Sequence, residues 1–282
     1  HRLPILLALP VFASDALSSV AYATEEVLHV LSSYNANGNA LGKLIPISIG
    51  IAILMFIVAF SYRRAILLYP TSGGSYTVSR KNLGAMAGLV AGAALFIDYV
   101  LTVAVSVSAG VAALTSYLPS MYDYRVYLGL ALILVIAWIN LRGVKESGWV
   151  FALPAYTFML AIVVLVGATL YRYLSGNLVP LPVPEHAIEA IKGLGWFALL
   201  KAFSNGCSAL TGVEAVSNGV QSFQAPEAKN AAKTLLVLII SLVVLFLGVG
   251  WAASAYHVVP THSETVISQI ASATFGKGSL LY

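Results

Sequence analysis

Charge is what this chain has least of. Asp, Glu, Lys and Arg together make up 9% of its 282 residues, where a soluble domain carries about a quarter. Cysteine is reduced to one, Cys207, which excludes a disulfide framework and a thiolate metal set. The five histidines, His1, His29, His186, His257 and His262, fall at span ends or in loops and show no ligand spacing. No Walker-type or RNA-binding motif occurs. A net charge of +4 over so apolar a chain is no nucleic-acid footprint. No cleavable signal is read, because the first apolar run is too long and has no small-residue cleavage site. The chain starts at His1 and reads as a segment of a longer protein. No nucleophile–base pair lies within the apolar segments, so an enzyme is not expected.

What is abundant is apolar length. Hydrophobic residues reach 59%, the composition of an all-α integral membrane protein. About 20 apolar residues cross a bilayer as a helix. That rule gives seven spans, at 3–31, 44–69, 84–118, 126–142, 147–174, 195–222 and 230–258, with a tail from Ser263 that starts an eighth. With the first end inside, the inner loops hold Arg2, Arg63, Arg64, Arg80, Lys81, Arg142, Lys145, Lys229 and Lys233. The outer side holds Lys43, Arg125, Arg172, Lys192 and Lys277. Nine cations against five place the amino terminus in the cytoplasm. Lys201 lies within span six and snorkels to the outer interface.

Two segments echo one another. Span one contains DALSSVA (15–21) and span six contains SALTGVE (208–214). Five helices separate the copies, so they run in opposite directions, as inverted repeats require. Each copy is a dense cluster of small and hydroxyl residues. Such clusters favour unwinding, and broken helices at membrane depth are tolerated where they line a cavity. Breaks are therefore expected in both spans.

An acid at mid-bilayer costs roughly 2.5–3.5 kcal/mol on insertion scales and is kept for a function. Three are expected there: Asp15, Asp98 and Glu214. In span three, Asp98, Thr102 and Ser106 stand at i, i+4 and i+8, on one helix face. Structural ion pairs would need basic partners, and Lys201 alone is at hand. A cation fills that gap. Oxygen-only surroundings argue against zinc, copper and iron and suit a weakly hydrated alkali ion, potassium or sodium. Glu25 and Glu26 are expected to face the outer vestibule. The loop at Gly73 and Gly74 lacks a Walker lysine and reads as a turn or cytoplasmic gate. Gly84, Gly88 and Gly92 form small-xxx-small steps for close helix packing.

The segments FASDALSSVAYATEE (12–26), YPTSGGSY (69–76), FIDYVLTVAVS (96–106) and SNGCSALTGVEAVSNGV (204–220) resemble the amino acid–polyamine–organocation superfamily. More narrowly, they are similar to the KimA-type potassium–proton symporters of the KUP family. The resemblance implies a LeuT-like bundle with two five-helix inverted repeats, broken in spans one and six. Residues 1–174 would form the first repeat, 175–194 an extracellular linker and 195–282 an incomplete start of the second. It implies that Asp15, Tyr22, Asp98, Tyr99, Thr102, Ser106 and Thr211 line the potassium pathway, with Asp15 and Asp98 as the carboxylates on the ion. Glu214 is implied as the proton-coupling acid. The implied activity is K+/H+ symport by alternating access at the cell membrane, with potassium and a proton as the transported ions and no cofactor. A homodimer and regulation by cyclic di-AMP through a C-terminal domain beyond this chain are also implied. The rival is a proton- or sodium-coupled amino acid permease of the same superfamily. Those proteins seat a substrate carboxylate on a glycine-containing break in span one. Here that stretch is SDALSS (14–19), whose fixed acid repels a carboxylate by roughly 1 to several kcal/mol at about 4 Å. A membrane receptor or scaffold without transport is the remaining alternative.

Overall fold

The computed structural model describes residues 2–34, 40–141, 144–182, 195–261, 263–279 and 282. His1, His186, His262, Arg142 and Lys192, the side chain of Lys145 and most of the expected linker lie outside the described residues. Ten α-helices follow one another among them. They are α1 Ile5–Ser33, α2 Leu44–Leu68, α3 Gly74–Leu83, α4 Ala85–Tyr117 and α5 Arg125–Asn140. The remainder are α6 Val144–Leu174, α7 Trp196–Gly206, α8 Ala215–Asn218, α9 Glu227–Ala255 and α10 Val266–Phe275. The only β-type pairing among the described residues is an isolated bridge between Leu3 and Phe223.

Among the described residues six helical segments are long and apolar enough to cross a membrane. Their bounds follow the expected spans because apolar length alone sets them. Pro4 precedes α1 and Pro70 follows the end of α2, positions where a missing N–H and a fixed φ cost little. The remaining expected crossing, span six at 195–222, is present in pieces. Helix α7 ends at Gly206, a 3-10 turn covers Cys207–Leu210, residues 211–214 form turns, and α8 resumes at Ala215. The tail from Ser263 becomes the ten-residue α10, too short to cross.

Span one departs from expectation. Helix α1 runs unbroken through Asp15 and both serines that follow it. The hydroxyls that were expected to favour unwinding bond back along the helix. Ser14 Oγ donates to the Val11 carbonyl, Ser18 Oγ to the Asp15 carbonyl at 2.6 Å, and Ser19 Oγ to the Ala16 carbonyl at 2.6 Å. Each hydroxyl shares a carbonyl of its own turn, which bends a helix without opening it.

Helices α1 and α9 form the centre, packed on each other and on α2, α6 and α7. Lipid supplies no hydrophobic drive between helices, so close fit has to hold them together. Ala8, Ala13, Ala16 and Ala23 on α1 are fully buried and let neighbouring backbones approach. Thr169, Thr274 and Tyr256 join α6, α10 and α9 through hydrogen bonds of 3.2 and 3.1 Å. The expected glycine steps on α4 divide by role. A Cβ on Gly88 would meet Arg80 at 2.7 Å and one on Gly92 would meet Tyr76, so these two seat α3 against α4. Gly84 has no neighbour within 4 Å of that position and instead caps the start of α4.

One end of the bundle gathers the start of α1, the α2–α3 loop and the segment from α8 to α9. Arg2 pairs with Glu227, the Leu3 N–H donates to the Ser222 carbonyl at 2.8 Å, and the Gly73 N–H donates to the Asn218 carbonyl at 3.3 Å. Arg2, Arg63, Arg64, Arg80, Lys81, Lys229 and Lys233 belong to this basic end. Lys201, on α7, is exposed.

Candidate functional site

The break in span six rests directly on Asp15. Gly212 has φ +86°, a region that side-chain-bearing residues avoid. A Cβ there would lie 2.6 Å from the Ala16 nitrogen and 2.9 Å from Asp15 Cβ and Cγ. Glycine is thus required twice, for the turn and for the approach. Through it the two echoing segments meet: Ser19 Oγ also reaches the Ala209 carbonyl at 3.3 Å.

The short turns of the break carry Thr211 and Glu214. Thr211 leaves the 3-10 turn in an extended conformation, with its N–H on the Ser208 carbonyl at 3.1 Å. Glu214 is 6% exposed. Its carboxylate lies near the backbone N–H of Gly212 and its own, while Oε1 has no partner among the described residues. Such a buried, unpartnered oxygen is costly unless a ligand or proton satisfies it.

Helix α4 brings the third acid. Asp98 lies within electrostatic range of both Asp15 and Glu214. Ser106, two turns along, shares a hydrogen bond of 2.8 Å with Ser18 on α1, and the Tyr22 hydroxyl also reaches Ser106. Thr102, between Asp98 and Ser106 on that face, is buried. Tyr99 accepts a hydrogen bond from the Asn218 side-chain amide. Spans one, three and six therefore deliver Asp15, Tyr22, Asp98, Tyr99, Thr102, Ser106, Thr211 and Glu214 to one polar region.

No ion pair involves Asp15, Asp98 or Glu214 among the described residues. The pairs that exist join Arg2 to Glu227, His29 to Glu25 and Lys277 to Glu264. Nor do the described residues hold a group of three His, Cys, Asp or Glu fit for a bound transition metal. Hydroxyls, carboxylates and turn carbonyls are the chemistry of a weakly held hard cation.

Three partners were not foreseen. Ser18 contributes its hydroxyl between α1 and α4. Tyr62 on α2 lies in electrostatic range of Glu214 and Asp98 and faces Ser75 at 3.5 Å. Asn218 joins the site to the α2–α3 loop. For Ser18 the signal was present, since its spacing from Asp15 and Tyr22 keeps it near their helix face. Tyr62 and Asn218 depend on loop contacts that no local pattern announces.

A cavity of about 410 Å³ extends from Tyr22 past Glu25, Glu26 and Ser108 to Tyr117 and Tyr282. Glu25 and Glu26 both line this cavity. Glu25 also accepts the Val266 N–H at the start of α10 at 3.1 Å, a favourable place for an anion.

Helices long and apolar enough to cross a membrane thus surround an interrupted span beside acids that have no basic partner among the described residues. The sequence profile described as "Amino acid permease" matches residues 10–280, and the chain belongs to that family, within the amino acid–polyamine–organocation superfamily. It is 46% identical over 285 aligned residues to "Potassium transporter KimA" of Bacillus subtilis (strain 168). The alignment covers all of this chain and 46% of that relative, so the chain spans about half its length.

Proposed function

We propose that the chain forms part of a potassium importer that couples entry of the ion to entry of a proton. The observation that carries this reading is the convergence of Asp15, Asp98 and Glu214 without a basic partner among the described residues. Potassium descends the vestibule from the Glu25–Glu26 end to Asp15. There the carboxylate, the turns at Thr211 and the hydroxyls of Tyr22, Tyr99, Thr102 and Ser106 replace its water. Asp98 supplies the second carboxylate. Glu214, buried beside them, exchanges the proton, so its charge and the cation's presence are linked. Rocking of spans one, two, six and seven against the rest opens each side in turn.

The name of the relative supports potassium as cargo, and the nine-to-five cation bias supports a cytoplasmic amino terminus in the cell membrane. We read residues 1–174 as the first inverted repeat, 175–194 as an extracellular linker and 195–282 as the opening of the second. We also infer a transporter rather than an enzyme, working as a homodimer under cyclic di-AMP control through the remainder of the protein.

An amino acid permease is the second reading, favoured by the family's description and by Gly212 at the span-six break. Asp15 opposes it, since its carboxylate lies against the Gly212 turn and would repel a substrate carboxylate there. Titration of the full-length protein with potassium, sodium and amino acids separates the two. Potassium heat should vanish in Asp15→Asn. Unaltered potassium binding in that variant overturns the site, and amino acid binding in the parent protein overturns the cargo.

A further inference from the structure

Asn218 makes more inter-element contacts than any role assigned so far explains. It sits at the end of α8, one helical turn beyond Glu214, and its N–H donates to the Glu214 carbonyl at 3.0 Å. Its side-chain Nδ2 donates to the Tyr99 hydroxyl on α4. Its backbone carbonyl accepts the Gly73 N–H from the α2–α3 loop. The adjoining Gly74 has φ +38°, and a Cβ on it would strike Asn218 Oδ1 and lie 2.5 Å from Ser217 Oγ. On the other side Gly219 lies flush against the Phe12 ring of α1.

Three elements are thus held by one residue at the basic end of the bundle, below the acids. Ser217 is 2% exposed, and both Ser217 Oγ and Asn218 Oδ1 are buried without partners among the described residues. Two such atoms on neighbouring residues, both against the Gly74 backbone, leave hydrogen-bonding capacity free at this contact. Polar atoms that change partner when a passage opens would be left in this condition while it is shut. The paired glycines at 73 and 74 also acquire a reason that phosphate binding does not supply: the loop must lie against the Asn218 amide.

We propose that Asn218 is a positioning residue, a latch that ties the end of span six to α4 and to the α2–α3 loop and closes the basic end of the path beneath Glu214. Because Asn218 hangs from the Glu214 turn, a shift of Glu214 draws on the latch directly. The pathway in question is that of the proposed transporter, and to that extent the inference rests on that reading.

The test uses full-length protein carrying Ser217→Cys in a background free of other cysteines. The rate of alkylation by a charged maleimide is measured in detergent and from each side of proteoliposomes. Asn218→Ala should raise labelling from the basic end about fivefold, the effect of losing one net hydrogen bond, while potassium affinity by titration stays within about twofold. Gly74→Ala should do the same by displacing the loop, and it leaves both latch side chains in place. In a Tyr99→Phe background, Asn218→Ala should add no further increase, which a general loosening of the fold would not reproduce. Unchanged labelling in Asn218→Ala and Gly74→Ala overturns the latch. Loss of potassium binding in Asn218→Ala, equal to that in Asp15→Asn, also overturns it and makes Asn218 a ligand. The labelling arms need no transport, so failure of the parent protein to bind potassium sinks the proposed function while leaving the latch decided.

Discussion

Residues 15–21 and 208–214 carry one pattern in two copies, yet the first stays helical while the second breaks. Aligned, Ala16 stands with Ala209, Leu17 with Leu210 and Val20 with Val213, and the two alanines and two valines are all buried to the same degree. The copies differ where Ser19 stands with Gly212. Ser19 donates its hydroxyl to the Ala16 carbonyl at 2.6 Å and keeps α1 wound. Gly212 turns to φ +86° and lets the chain leave helical geometry. The acids are exchanged as well, Asp15 opposite Ser208 and Ala21 opposite Glu214. The wound copy therefore presents a carboxylate from a rigid rod, and the broken copy brings turns and a buried acid up to it. A cation site needs both halves, one fixed and one able to move.

The comparison breaks most severely at Gly212. In Gly212→Ala the new methyl lies 2.6 Å from the Ala16 nitrogen and 2.9 Å from Asp15 carbons, and neither backbone nor helix can yield cheaply. A left-handed non-glycine residue costs about 1–3 kcal/mol before that overlap is counted. Potassium binding should disappear in titration and thermal stability should fall by several degrees. Normal binding in this variant would show that the contact between the two copies is not where the ion rests.

The next effect concerns the acid that only the broken copy has. Glu214→Gln keeps the shape and hydrogen-bonding reach of the side chain but cannot exchange a proton. Rubidium uptake into proteoliposomes should continue at a reduced rate and lose its dependence on outside pH, while uptake by the parent protein follows the proton gradient. If the pH profile survives the substitution, proton coupling belongs to another group and the second acid is structural.

Much of this comparison was legible beforehand, and its limits are physical. Asp15, Asp98 and Glu214 could be found because an acid in an apolar run is costly anywhere in a bilayer, whatever the fold. Helices α4 and α9 lie within a few residues of the spans drawn for them, since length and hydropathy decide both. The fate of a serine cluster was not legible. A hydroxyl stabilises an unwound turn or back-bonds within a wound one, and the choice depends on what packs outside it. For Ser19 that neighbour is the Ala209 carbonyl, 190 residues away. Gly84, Gly88 and Gly92 share a spacing, yet only the last two meet α3, because the first is the junction residue between α3 and α4.

The smallest effect sharpens the comparison from the other side. Ser19→Gly gives span one the residue that its counterpart uses to break. The cost is the helix propensity of glycine, about 0.5 kcal/mol relative to serine, together with two hydrogen bonds from Ser19 Oγ. No atom is added, so no overlap arises with Ala209 or Gly212. Thermal stability should drop by only a few degrees, and potassium affinity should stay within about threefold of the parent. That outcome means that α1 works as a wound rod and that Asp15 is positioned by the helix around it. A loss of binding as complete as in Gly212→Ala would mean the reverse: the Ser19 hydroxyl, by holding this turn closed, would then be what keeps the Asp15 carboxylate in register with the broken span.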